Sequence, residues 1–120
     1  MRIDSHQHFW QFDPVRDAWI DSSMQKIATD FLPKDLKPLL EQNQMDGCVA
    51  VQADQSEVET QFLLKLADKN PFIKGVVGWV DLCADDLSER LEFFSKNPIF
   101  KGVRHILQAE KEGYMLQDSF

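Results

Sequence analysis

Two histidines, His6 and His8, stand two residues apart in the opening segment Met1–Trp10. The segment reads as a strand, whose side chains alternate between faces. Both imidazoles then point the same way, with Asp4 two residues deeper on that face. Paired imidazoles at a strand end can hold a divalent metal or grip a polar substrate. A His-x-His pair also arises as ordinary structure, so the weight falls on what converges with it. Later apolar runs end in Gln52 and Asp54, in Trp79 and Asp81, and in Arg104, His105 and Gln108. An arginine in a strand is costly to bury unless it meets an anion or a ligand. Arg104 is therefore a candidate clamp for a carboxylate or hydroxyl, the alternative being an ion pair with Asp81 or Asp54. Arg104 and His105 cannot both face inward unless their strand bulges, and Arg104 is expected inside. Trp79 could stack on a sugar or simply pack, and Asp54 and Asp81 admit an acid–base role. Gly-rich phosphate loops, serine nucleophile elbows and CxxC knuckles are absent.

The elements that must position these residues are legible from a repeat. Asn70-Pro71-Phe72-Ile73-Lys74-Gly75-Val76 recurs at Asn97-Pro98-Ile99-Phe100-Lys101-Gly102-Val103, and Asn43 to Val49 is a weaker copy. Each copy opens an apolar, β-branched run: Cys48 to Ala53, Ile73 to Leu82, and Phe100 to Leu107. Helices are expected between them, from about Pro33 to Gln42 and after the starts Ser56-x-x-Glu59 and Asp86-x-x-Glu89. Val58, Phe62, Leu63, Leu66 and Ala67 trace the apolar face of the second helix, and Leu87, Leu91 and Phe94 that of the third. Asn-Pro stops both of these helices. Residues 11–31 read as a long loop and Gln108 to Phe120 as a polar tail. The order β-loop-α-β-α-β-α-β means parallel β/α units. With polar residues gathered at all four strand ends, it fits an α/β fold that is half of a (β/α)₈ barrel, about four β/α units in residues 1–120.

Composition excludes other classes. At 43% apolar and 28% charged residues the chain is globular in type. Its net charge of −7 argues against a nucleic-acid partner, because phosphate binding needs a basic face. No apolar run approaches the ~20 residues of a membrane span. A cytoplasmic location is expected, with Cys48 and Cys83 as buried, reduced thiols.

Four stretches then carry a family resemblance: Ile3-Asp4-Ser5-His6-Gln7-His8-Phe9-Trp10, Val51-Gln52-Ala53, Gly78-Trp79-Val80-Asp81-Leu82 and Lys101-Gly102-Val103-Arg104-His105. Together they resemble the amidohydrolase superfamily, most of all its sugar-lactone hydrolases, the L-fuconolactonases and L-rhamnonolactonases. The resemblance implies a (β/α)₈ barrel that hydrolyses a sugar-lactone ester. In it His6 and His8 are catalytic, either as ligands of one divalent metal (zinc or manganese) or, in metal-independent members, as substrate-polarising groups. Arg104 or His105 would bind substrate, beside Trp79 and Gln52 from the strand-end reading. A general base would deprotonate water, which attacks the ester carbon while cationic groups stabilise the oxyanion. The family's later strands supply a further histidine and an aspartate base that this sequence does not contain. The chain is therefore expected to be half a barrel, inactive alone, whose partners are a C-terminal half or a second copy. A metal-dependent decarboxylase of the same superfamily and a non-catalytic, self-associating half-barrel module are the alternative readings. An open half barrel would leave a strand edge and apolar surface that invite pairing.

Overall fold

A computed structural model describes residues 1–120. Four strands, β1 (Ile3–Gln7), β2 (Gly47–Val51), β3 (Ile73–Gly78) and β4 (Phe100–Val103), form one parallel sheet in the order β1-β2-β3-β4. The crossovers carry α1 (Pro33–Gln42), α2 (Glu57–Lys69) and α3 (Leu87–Ser95). Strand order follows chain order without the reversal of a doubly wound sheet, so the sheet is a barrel wall of three β/α units and a fourth strand, β4, that no α-helix follows. No helix is long and apolar enough to cross a membrane.

Alternation along the strands divides the sheet. Cys48, Ala50, Ile73 and Val76 are buried in one cluster with Leu40, Leu63, Leu64, Ala67 and Phe94 from the helices. Val49 and Val77, at alternate positions, lie on the opposite face, the lumen side of a closed barrel. The repeat has a structural meaning. Asn43 and Asn70 each donate through Nδ2 to the carbonyl four residues back, Leu39 O and Leu66 O, both at 2.8 Å. They thereby satisfy the open end of α1 and of α2. Asn97 instead accepts from Ile99 N at 3.0 Å, and α3 stops two residues before it.

Several expectations need correction. The strands end earlier than the apolar runs, because the chain leaves the sheet at each C-terminal end. The buried face of α2 is rotated: Val58 is 76% exposed, whereas Glu59 and Thr60 are buried with Leu63, Leu64 and Ala67. Ser56 caps α2 by accepting from Glu59 N at 3.1 Å, but the Glu59 carboxylate accepts from Ala53 N, so only half of the capping box forms. Asp86 makes no side-chain cap at all. Cys83 is half-buried rather than buried, although both cysteines are free. The 11–31 loop is stapled at its base, where Trp10 and Phe31 exchange backbone hydrogen bonds at 3.0 and 2.9 Å. The tail is not merely polar: it forms 3₁₀ turns at Leu107–Ala109 and Tyr114–Leu116, and Tyr114 stacks on His105.

Gly78 is required by a close approach. A Cβ there would lie 2.5 Å from Thr60 Cγ2. Gly78→Ala should lower stability by about 1–3 kcal/mol through forced displacement of α2. Urea denaturation checks this, and an unchanged midpoint would contradict so tight a contact.

Candidate active site

All four strands present their C-terminal ends to one mouth, and the histidine pair occupies the β1 corner. The Nε2 atoms of His6 and His8 face each other at 3.1 Å. His8 Nδ1 lies 2.9 Å from the carbonyl oxygen of Val51, at the end of β2. A carbonyl can only accept, so Nδ1 of His8 carries the proton and Nε2 presents its lone pair toward the mouth. Burial holds the His8 pKa below the ordinary 6.5, opposed by the Val51 bond and assisted by the nearby His6 and Arg104. His8 is thus a neutral donor atom oriented by a backbone carbonyl, the usual support of a metal-binding imidazole.

Two nitrogens each about 2.0–2.1 Å from one zinc ion stand roughly 3 Å apart, so this pair fits one shared divalent ion. No group of three or more His, Cys, Asp and Glu in the chain could hold a metal. The pair is therefore a partial ligand set. Asp4 does not align with it as expected. The β1–β2 register shifts between Asp4 and Gln7, and the Asp4 carboxylate accepts from the Gln7 amide and from His6 N.

Opposite the histidines, β4 delivers Arg104. Its Nη1 donates to the carbonyl of Gln52 at 3.4 Å, while the Gln52 side chain donates through Nε2 to Arg104 O at 3.0 Å. Gln55 Oε1 accepts from Ile106 N at 2.6 Å. Two glutamines after β2 therefore tie it to β4 across the end of β3. Gln52 is completely buried, so its side chain braces Arg104 and does not line the mouth. His105 is likewise withdrawn. Trp79 Nε1 donates to its Nδ1 at 3.2 Å, its Nε2 lies 2.8 Å from Glu110 Oε1, and the Tyr114 ring covers it. Both ring nitrogens of His105 are committed, and they fix the indole of Trp79. The strand-end reading thus brings His6, His8 and Arg104 together and places Gln52 and His105 behind them.

A second polar group escaped sequence reasoning. Arg16 grips Asp17 through Nε and Nη2, at 3.0 and 2.7 Å, above the buried Glu59 and next to Asp54. The pair ties the 11–31 loop to itself, with Arg16 also donating to Gln11 O and Asp17 accepting from Asp13 N. Burial pushes the Glu59 carboxyl up to about 6, helped by Asp54 and opposed by the Ala53 N–H. The cue was polar residues at core-facing helix positions, which an apolar count passes over. An open groove of about 820 Å³ lies elsewhere, between α2 and α3 beside Leu64, Phe93 and Phe94.

The wall of parallel strands with a histidine pair at the end of β1 defines the class, and comparison supplies the family. The amidohydrolase family model matches residues 3–118, and the chain belongs to that family. It is 38% identical over 107 residues to an L-fucono-1,5-lactonase of Burkholderia ambifaria, covering 89% of this chain and 37% of that protein. An L-fucono-1,5-lactonase of Burkholderia multivorans is 42% identical over 112 residues, covering 93% and 38%. The chain thus spans little more than a third of the curated relatives it matches. Two crystal structures of a Burkholderia multivorans amidohydrolase, one with bound zinc and one with bound HEPES, superpose on the whole chain. Their TM-scores are 0.95 and 0.94 at 39% identity, over 43% and 42% of the neighbour's length.

Glu59 makes stability depend on pH with a definite sign. Its carboxyl binds a proton more tightly folded than unfolded, where the ordinary value is 4.5. The stabilisation from that proton is complete below the unfolded value and is lost as pH rises through about 6. Glu59→Gln keeps the acceptor for Ala53 N, and it should remove this slope and add up to about 2 kcal/mol at pH 8. Urea midpoints at pH 5 and 8 test it; a variant weaker than the parent at pH 8 would contradict the assignment.

Proposed function

We propose that this chain supplies the β1–β4 wall, and half of the active site, of a hydrolase that opens a sugar-acid lactone. The observation that carries the reading is the convergence of His6 and His8 Nε2 at 3.1 Å at a mouth where Arg104 is held by the end of β2. The lactonase names of relatives at 38 and 42% identity favour a lactone as substrate.

His6 and His8 would hold one divalent ion, zinc being favoured by the zinc-bound neighbour. Such an ion, when bound, supplies Lewis-acid polarisation of a carbonyl and acidifies water. Arg104 binds a sugar hydroxyl, and the carboxylate that appears when the lactone ring opens, through charge-assisted hydrogen bonds. Trp79, its indole locked by His105 and Glu110, forms a wall of the sugar site. The general base and the remaining ligands come from outside the chain, from a complementary C-terminal half or from a second copy that closes the barrel. The reaction belongs to sugar-acid metabolism on this reading.

The test uses the complete barrel, with hydrolysis of L-fucono-1,5-lactone followed by acid release. His6→Ala and His8→Ala should each lower kcat/KM by more than about a hundredfold, since even outer-shell partners of a metal site contribute 10–100-fold. Hydrolysis that survives both substitutions removes the histidines from the reaction. Carbon dioxide release from an aromatic or unsaturated acid, with no lactone turnover, would reassign the site to decarboxylation.

A further inference from the structure

β3 ends abruptly, and the cause lies in a helix. In a parallel ladder, Gln52 N donates to Val77 O, as it does here at 2.8 Å, and Gln52 O then accepts from the amide of residue 79. The Trp79 amide goes elsewhere. It donates to Thr60 Oγ1 at 2.7 Å, and the same hydroxyl donates to Trp79 O at 2.8 Å. One threonine of α2 thus takes both backbone groups of Trp79 out of the sheet. Thr60 is fully buried, and Gly78 lets it come this close. The Gln52 carbonyl, relieved of its ladder partner, accepts from Arg104 Nη1 at 3.4 Å. Into the gap left by β3 passes the Gln52 side chain, which holds Arg104 O.

We infer that Thr60 is a positioning residue for Arg104. By capturing the backbone of Trp79, its hydroxyl keeps the Gln52 carbonyl open as the seat of the guanidinium at the mouth. Thr60 itself touches no substrate. The value of that seat rests on the proposed role of Arg104 in binding the sugar acid, whereas the seat itself does not.

The experiment compares Thr60→Val, which keeps the shape and removes the hydroxyl, with Thr60→Ser, which keeps the hydroxyl. Two signals are read by NMR in the 120-residue chain: the Nε–Hε group of Arg104, identified by its loss in Arg104→Lys, and the Trp79 amide. Affinity for L-fuconate is measured beside them in the complete barrel. Thr60→Val should shift the Trp79 amide as it re-enters the ladder, free the Arg104 guanidinium, and weaken L-fuconate binding about tenfold, the size of one charge-assisted hydrogen bond. Thr60→Ser should restore all three. Should valine not fold against Gly78, Thr60→Ala is read in the same way. An Arg104 signal and affinity unchanged in a folded Thr60→Val chain overturn the inference. If Arg104 is freed but affinity holds in both Thr60→Val and Arg104→Ala, the seat stands and the substrate role of Arg104 falls.

Discussion

The last two carbonyls at the end of β2 organise the mouth of this half barrel. Successive carbonyls of a strand point to opposite neighbours, so Val51 O turns toward β1 and Gln52 O toward β3. Neither meets a backbone donor there. A buried carbonyl without a partner costs about 1–3 kcal/mol, so each recruits a side chain. Val51 O takes the Nδ1 of His8, and Gln52 O takes the Nη1 of Arg104. A requirement of the fold thereby sets the chemistry of the site. It fixes the tautomer of His8, aims its free nitrogen at His6, and holds a cation across the mouth from both.

The surroundings show where rigidity and strain reside. Behind the sheet, Phe9, Leu63, Ile73 and Val76 are almost fully excluded from water, and the strands ride on that layer. Above it, the 11–31 loop is closed at its base by the Trp10–Phe31 bridge and braced internally by the Arg16–Asp17 pair. Glu59 sits beneath that loop with its charge opposed by burial, a local cost carried by the hydrophobic layer. At the β4 corner the tail seals His105 under Tyr114, so Trp79 is braced from outside the sheet.

How much of this was legible depended on range. The parallel order, the three crossover helices and the half-barrel class follow from local periodicity and the Asn-Pro repeat. Strand alternation alone places His6 and His8 on one side. What failed was what one residue's shift undoes. The register change between Asp4 and Gln7 turns Asp4 away from the pair, and two polar residues on α2 rotate its buried face away from Val58. Gln52 was read as a substrate contact because it ends an apolar run, and His105 through the family resemblance. Their withdrawal depends on partners such as Arg104 and Glu110, chosen by the tertiary fold. Thr60 carried no signal at all, since a helix threonine is ordinary until Gly78 is known to pass against it.

The central claim is that β2 presents His8 as a neutral, Nδ1-protonated imidazole whose Nε2 converges with that of His6. Nitrogen-15 NMR of the histidine rings during a zinc titration tests it most directly. The account predicts that His8 carries its proton on Nδ1 before zinc is added, and that the Nε2 resonances of His6 and His8 then shift together, saturating at one zinc per chain. A His8 ring protonated on Nε2, or zinc that perturbs one ring and leaves the other unchanged, would contradict it.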